Sequence, residues 1–186
     1  MPGRRAVFLD RDGVITQEPP HYAHRVDQLE FIPRAQEAIR LLNQNGYLVI
    51  VVSNQSGIAR RYYPEEDTIK FNRVMEKKLS EFGAHIDAMY YCPHHPNANC
   101  ECRKPNPGML IEAAKKFHID FKRSFMIGDK LSDIDAGKRV GCKTILVLTG
   151  HGKDEPKTDK IDYTTHDLYS AVKYILRKQF SARYRL

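Results

Sequence analysis

Short apolar runs recur along this chain, and stretches with helical spacing separate them. Residues 6–10, 47–53, 86–92, 124–128 and 143–148 have strand length and are rich in Val, Ile, Phe and Tyr. Between them, Ala35, Ala38, Ile39 and Leu42 mark one face of a helix closed by Asn45-Gly46, and Phe71, Met75, Leu79 and Phe82 mark a second. Leu110, Ala113, Ala114 and Phe117 line a third; residues 132–140 form a shorter helix stopped at Gly141. Leu168, Ala171, Val172, Ile175 and Leu176 line the last. Strands that are apolar without alternation are buried on both faces, so the pattern predicts an α/β fold: a Rossmann-like, doubly wound, mainly parallel sheet with helices on both faces. No gap between elements has room for a large cap domain, and residues 1–186 read as a single domain. Residues 149–162, rich in Gly, Lys, Asp and Pro, make the one long connection.

The first apolar run ends in Asp10-Arg11-Asp12-Gly13. Carboxylates at the carboxyl end of a strand lie where open α/β sheets place their sites. Two of them one residue apart repel unless a cation neutralises them, which points to a hard ion with oxygen ligands, foremost Mg²⁺. The second signal is Cys92-Pro93-His94-His95, then Cys100-Glu101-Cys102. Three thiolates and an imidazole can close a tetrahedral Zn²⁺ site, and with no open position the metal would shape a loop over 92–102 without doing chemistry. His94 and His95 both offer an imidazole. Spacing prefers His94, which mirrors the Cys100 and Cys102 arm. Cys142, alone beside a strand, reads as core.

Asp10-Arg11-Asp12-Gly13-Val14 resembles motif I of the haloacid dehalogenase superfamily, and three more motifs follow in that superfamily's order. They are Val51-Val52-Ser53-Asn54-Gln55, Arg103-Lys104-Pro105, and the run from Met126 through Gly128-Asp129-Lys130 to Asp133. Together with the Cys/His loop, with Tyr90-Tyr91-Cys92-Pro93-His94-His95-Pro96 and with Pro107-Gly108-Met109, they resemble the D-glycero-D-manno-heptose 1,7-bisphosphate 7-phosphatase family in the histidinol-phosphatase branch. The resemblance implies a phosphoric monoester hydrolase that acts on a small sugar bisphosphate and serves nucleotide-activated heptose synthesis for bacterial surface polysaccharide. It implies Asp10 as nucleophile, Asp12 as general acid and base with a proton affinity raised towards neutrality, and Ser53 and Lys104 as catalytic partners. Mg²⁺ would be held by Asp10, Asp12 and Asp129 with Asp133 behind them, and Zn²⁺ by Cys92, His94, Cys100 and Cys102. Substrate would meet Arg11, the loop Pro19, Pro20, His21 and Tyr22, then Ser53, Asn54, Gln55, Arg103, Lys104 and Lys130. Arg103 is the residue expected to read the distal phosphate. Histidinol-phosphate phosphatase, DNA 3′-phosphatase and a non-catalytic zinc-dependent interaction module are the alternatives. The module would not need both acidic motifs, and every catalytic position here is filled.

The chain has 30 basic and 23 acidic residues, a formal net charge of +7, with a basic C-terminal stretch over 177–186. This suits anionic ligands, but it reads first as a solvated tail, so nucleic acid is not an expected partner. The longest uninterrupted apolar run, residues 47–52, is too short to span a bilayer, and no signal-type segment precedes the first strand. A cytoplasmic monomer with reduced or metal-bound cysteines is therefore expected.

Overall fold

The structure is a computed structural model that describes residues 3–19 and 22–183. Six parallel strands form one sheet in the order β3-β2-β1-β4-β5-β6. They are β1 Ala6–Leu9, β2 Leu48–Asn54, β3 Ala88–Cys92, β4 Phe125–Gly128, β5 Lys143–Val147 and β6 Tyr163–Thr165. The helices are α1 Ala35–Gln44, α2 Glu65–Glu81, α3 Gly108–Phe117, α4 Leu131–Val140 and α5 Leu168–Arg183. The predicted doubly wound parallel sheet is what the chain forms.

Each apolar strand divides its side chains between two cores by its period of two. Val7, Leu9, Val49 and Val51 pack on one face with Ile39, Leu42, Met75, Leu79, Val172 and Ile175. Ala6, Phe8, Ile50 and Val52 pack on the other with Met109, Leu110, Ala113 and Ala136. Phe8, Ile50, Met75 and Leu110 are fully covered, and each such side chain contributes about 1.5–3 kcal/mol of transfer free energy.

The structure departs from the sequence pattern most clearly at the start of β3 and at the sheet edge. β3 starts at Ala88 because the Asp87 carboxylate takes the Val49 N–H at 2.8 Å, a side chain standing in for a ladder acceptor. The strand β6 was not expected; it begins where Asp162 accepts from Thr144 N at 2.7 Å, and it closes the sheet edge beyond β5.

The chain winds outward from β1 through β2 to β3, then returns to β4 and winds the other way. β1 and β4 are thus neighbours on either side of the reversal, where α/β sheets open a crevice at their carboxyl ends.

Candidate active site

That crevice is a pocket of about 550 Å³ at the carboxyl ends of β1, β2 and β4. Asp10 follows β1 and extends its ladder, its N–H donating to Ile127 O at 3.1 Å. Asp129 follows β4, and Asp133 lies in the first turn of α4. Carboxylate oxygens of the three lie within 4.8 Å of one another, all buried. Lys104 reaches them from the connection after β3. Its Nζ stands 3.0 Å from Asp10 Oδ1 and 2.7 Å from Asp133 Oδ1, and it donates to Val52 O at 2.7 Å. Burial alone would press the Lys104 proton off, but Asp10 and Asp133 outweigh it and hold the ammonium above the usual lysine range.

One buried ammonium does not neutralise three carboxylates. Burial, and then the charge of Asp133 against the opposing pull of Lys104, pushes Asp10 up to about 6. Burial, then Asp10 and Asp133, pushes Asp129 up to about 8. Asp129 Oδ2 accepts from His151 N at 2.8 Å, whereas Asp129 Oδ1 is buried with no partner among the described residues. An orphaned carboxyl oxygen in an all-oxygen cluster of three acidic groups fits a hard divalent cation, which would hold them ionised. Backbone crowds the same spot. Gly13, at φ +80°, has room for no Cβ, which would fall 2.4 Å from Asp129 Oδ2.

The expected residues do not all face the pocket. Asp10, Asp12, Pro19, Tyr22, Ser53, Asn54, Arg103, Lys104 and Lys130 line it, and so does Asp133. Pro20 and His21 lie outside the described residues. Arg11, expected to meet substrate, does not line it: it is 1% exposed and its guanidinium is used internally. Arg11 Nε and Nη2 each donate to the Asp12 carboxylate at 2.9 Å, Nη2 also to Ala23 O at 2.7 Å, and Nη1 to Asn72 in α2 at 3.0 Å, over the Phe71 ring. Gln55 is likewise buried away from the pocket wall, its amide bonded to Asp12, Ser53 and Tyr63. Asn54 lines the pocket, and its side chain is engaged with the Lys104 backbone. Arg103 Nη1, by contrast, is buried at the pocket without a hydrogen-bond partner among the described residues.

Five lining residues lie outside the expected set: Glu18, Ala23, Ser56, Ser132 and His151. Glu18 holds Lys130 Nζ at 3.1 and 3.2 Å and lies 3.1 Å from His151 Nε2, so the long 149–162 connection folds back onto the rim. Ser56 meets the Tyr22 hydroxyl at 3.5 Å. Only Gly150, whose absent side chain leaves room for Asp129, could have pointed to this loop in the sequence. Burial opposes the Lys130 charge, but Asp10, Glu18 and Asp129 together raise its proton affinity well above the ordinary value.

The Cys/His cluster forms beside this pocket. Cys92 Sγ lies 3.5 Å from His94 Nδ1 and from Cys100 Sγ, and Cys102 Sγ lies 3.2 Å from His94 Nδ1 and 3.5 Å from Cys100 Sγ. A tetrahedral zinc site has ligand-to-ligand edges of about 3.3–3.8 Å, so the four groups fit that ion. His95 takes the Asn97 N–H at 3.3 Å and stays outside the cluster. The loop is tied to α4: Asn106 donates to Cys100 O at 2.9 Å and accepts from Arg139 at 2.7 Å.

The family model described as "HAD-hyrolase-like" matches residues 101–171. The chain is 40% identical over 179 residues to the D-glycero-beta-D-manno-heptose-1,7-bisphosphate 7-phosphatase of Pasteurella multocida, covering 92% of this chain and 97% of that one. It belongs to that phosphatase family. A second enzyme of the same name, from Photorhabdus laumondii, is 42% identical over 185 residues, with coverage of 93% and 97%. The alpha-anomer phosphatase of that organism is 38% identical over 179 residues, covering 92% of this chain and 96% of that one. A solved D,D-heptose 1,7-bisphosphate phosphatase from B. bronchiseptica, complexed with magnesium and phosphate, superposes with a TM-score of 0.88 at 30% identity, covering 94% of this chain and 99% of that one. This member of the heptose bisphosphate phosphatase family is an enzyme, a phosphoric monoester hydrolase. Among its described residues no helix is long and apolar enough to cross a membrane.

Proposed function

We propose that this chain removes the 7-phosphate of D-glycero-D-manno-heptose 1,7-bisphosphate through an aspartyl-phosphate on Asp10, as a cytoplasmic, monomeric, single-domain step towards nucleotide-activated heptose. One observation carries the bisphosphate reading: Arg103 has a buried, unpartnered Nη1 in the wall of a pocket that is also lined by Asp10 and Asp133 of the acidic cluster. A guanidinium in that condition asks for an anion, and the reacting phosphoryl group has its own cation in Lys104.

Asp10 attacks phosphorus in line with the leaving sugar oxygen, splitting one displacement into two. The Arg11 N–H at 2.8 Å and Lys104 at 3.0 Å both hold Asp10 Oδ1, which sets the plane of the attacking carboxylate. Ser53 and Lys104 face the phosphoryl oxygens as their charge redistributes. Asp12 gives a proton to the leaving oxygen and later takes one from the water that cleaves the acyl phosphate. Donors from Arg11, Gln55 and Thr16 converge on its carboxyl group and fix its orientation towards the pocket. Mg²⁺ held by Asp10, Asp129 and the Asp12 backbone, with Asp133 behind them, would lower the repulsion between an anionic nucleophile and an anionic phosphate. Zn²⁺ on Cys92, His94, Cys100 and Cys102 would fix the loop from which Arg103 and Lys104 project.

The test is a panel of heptose bisphosphate, histidinol phosphate and a 3′-phosphorylated oligonucleotide with Mg²⁺. The highest kcat/KM is expected on the bisphosphate, and Arg103→Ala should lower it on the order of 10- to 100-fold more than for a small monophosphate, as loss of one charged hydrogen bond implies. Equal losses on both, or a wild-type preference for histidinol phosphate, overturn the substrate assignment.

A further inference from the structure

Gln55 occupies a place in the site that its surroundings define completely. Its Nε2 donates to Asp12 Oδ2 at 2.9 Å and to Ser53 Oγ at 2.8 Å, and its Oε1 lies 2.9 Å from the Tyr63 hydroxyl. The three side chains are 2, 3 and 5% exposed for Gln55, Ser53 and Tyr63, so water does not compete for these bonds. Ser53 and Asp12 face the pocket, whereas Gln55 and Tyr63 stand behind them.

The direction of every bond in this group can be worked out. The Asp12 carboxyl already accepts twice from the Arg11 guanidinium, and the NH₂ end of Gln55 faces its Oδ2. The carbonyl end then faces Tyr63, whose hydroxyl must donate. Burial first of all pushes the Tyr63 phenol up to about 12, so it keeps the proton it donates. The amide has two hydrogens: one goes to Asp12 and the other to Ser53 Oγ. Ser53 Oγ is therefore an acceptor on its buried side, and its own proton is left for the side that faces the pocket.

We propose that Tyr63 and Gln55 are positioning residues: the Tyr63 hydroxyl locks the Gln55 amide, and the locked amide sets Asp12 and turns the Ser53 proton towards the phosphoryl group. The inference rests on the reading of Asp12 and Ser53 as parts of a phosphoryl-transfer site. The chain of donors runs one way, Tyr63 to Gln55 to Ser53 to phosphate oxygen, and bonds aligned in this way strengthen one another in a dry site. Its seat is built into the backbone. A Cβ on Gly57 would fall 2.2 Å from the Tyr63 ring, and His24 stacks on that ring at 4.4 Å between centroids and 5° between planes. His24 Nδ1 also meets Tyr22 O at 3.0 Å, which couples the locked tyrosine to the rim loop that carries Tyr22 over the pocket.

The experiment is a double-mutant cycle on the full chain with Mg²⁺ and 4-nitrophenyl phosphate, with thermal melts on each variant. Tyr63→Phe keeps the ring and removes only the donor. It should lower kcat roughly 3- to 10-fold, the worth of one hydrogen bond, with KM changed by less than about twofold. In a Gln55→Ala background the same substitution should cost less than about twofold, because Tyr63 acts only through the amide that is gone. If Gln55→Ala does not fold, Gln55→Met has similar length and no donors and takes its place in the cycle. An equal factor in both backgrounds, a loss confined to KM, or no loss in the first background overturns the inference while leaving the phosphatase reading standing. A wild type inactive on every phosphate monoester brings down both.

Discussion

The side-chain amide of Asn54 pairs with the backbone of Lys104 in both directions, Nδ2 donating to Lys104 O and Lys104 N donating to Oδ1, each at 3.1 Å. The end of β2 thereby sets where the Lys104 side chain starts, and Nζ arrives between Asp10 and Asp133. Asn54→Ala removes two hydrogen bonds and should cost about 1–3 kcal/mol in denaturant unfolding, with kcat falling more than KM rises. Unchanged stability together with unchanged kcat would show that the pairing is dispensable.

Asp10→Asn removes the attacking oxygen while nearly preserving shape. Turnover should fall to background, and zinc content should not change. Burial raises the Asp10 pKa to about 6, so the carboxylate is held at a cost near neutral pH, and the asparagine variant should melt at or above the wild-type temperature without added Mg²⁺. A phosphoryl group trapped on another residue would contradict the nucleophile assignment.

Proton linkage gives a third expectation. Burial and mutual repulsion raise Asp10 to about 6 and Asp129 to about 8 in the folded chain, against 3.8 for an unperturbed aspartate, so over that window the native state binds more protons than the unfolded chain. Without Mg²⁺, the unfolding free energy should therefore fall as pH rises from about 4 to about 8. Cation binding needs the ionised forms, and the stabilisation by Mg²⁺ should grow across the same window. Thermal melts from pH 5 to pH 8 with and without Mg²⁺ would show this; a Mg²⁺ effect that shrinks with rising pH would contradict it.

Zinc at about one ion per chain is expected in protein purified without chelators. Cys100→Ser or Cys102→Ser should lower both zinc content and melting temperature. It should also reduce turnover, because Arg103 and Lys104 follow Cys102 directly and Asn106 ties the loop to α4. Metal analysis by mass spectrometry together with melts checks it. Full activity in a zinc-free variant would separate the loop from the reaction.

Five strands and all five helices were legible in the sequence because their signals are local. β1 and β2 are apolar on both faces, and the helices repeat apolar residues at helical spacing, so the parallel sheet followed from pattern alone. β6 was not legible. It has three residues at the sheet edge, and a side chain brought from the Asp162 position to Thr144 starts it, a contact without a periodic trace. The acidic and Cys/His groups were visible for the same local reason, since their ligands lie within a few residues of one another or in motifs of known order.

What the sequence by itself determined is therefore the set of elements and the chemical type of the site. The tertiary structure decided which way each side chain turns. Arg11 and Asp12 are neighbours in one motif, yet Asp12 faces the pocket and Arg11 faces inward, because Asn72, Ala23 O and the Phe71 ring come from distant stretches to receive it. Ser53 and Gln55 divide in the same manner, with Tyr63 accounting for the second. Glu18 and His151, far apart along the chain, meet only once the connection after β5 returns to the rim. Periodicity reports burial along one element, whereas a buried polar group is placed by whichever partners satisfy its hydrogen bonds, and those partners are set by the packing of the whole chain.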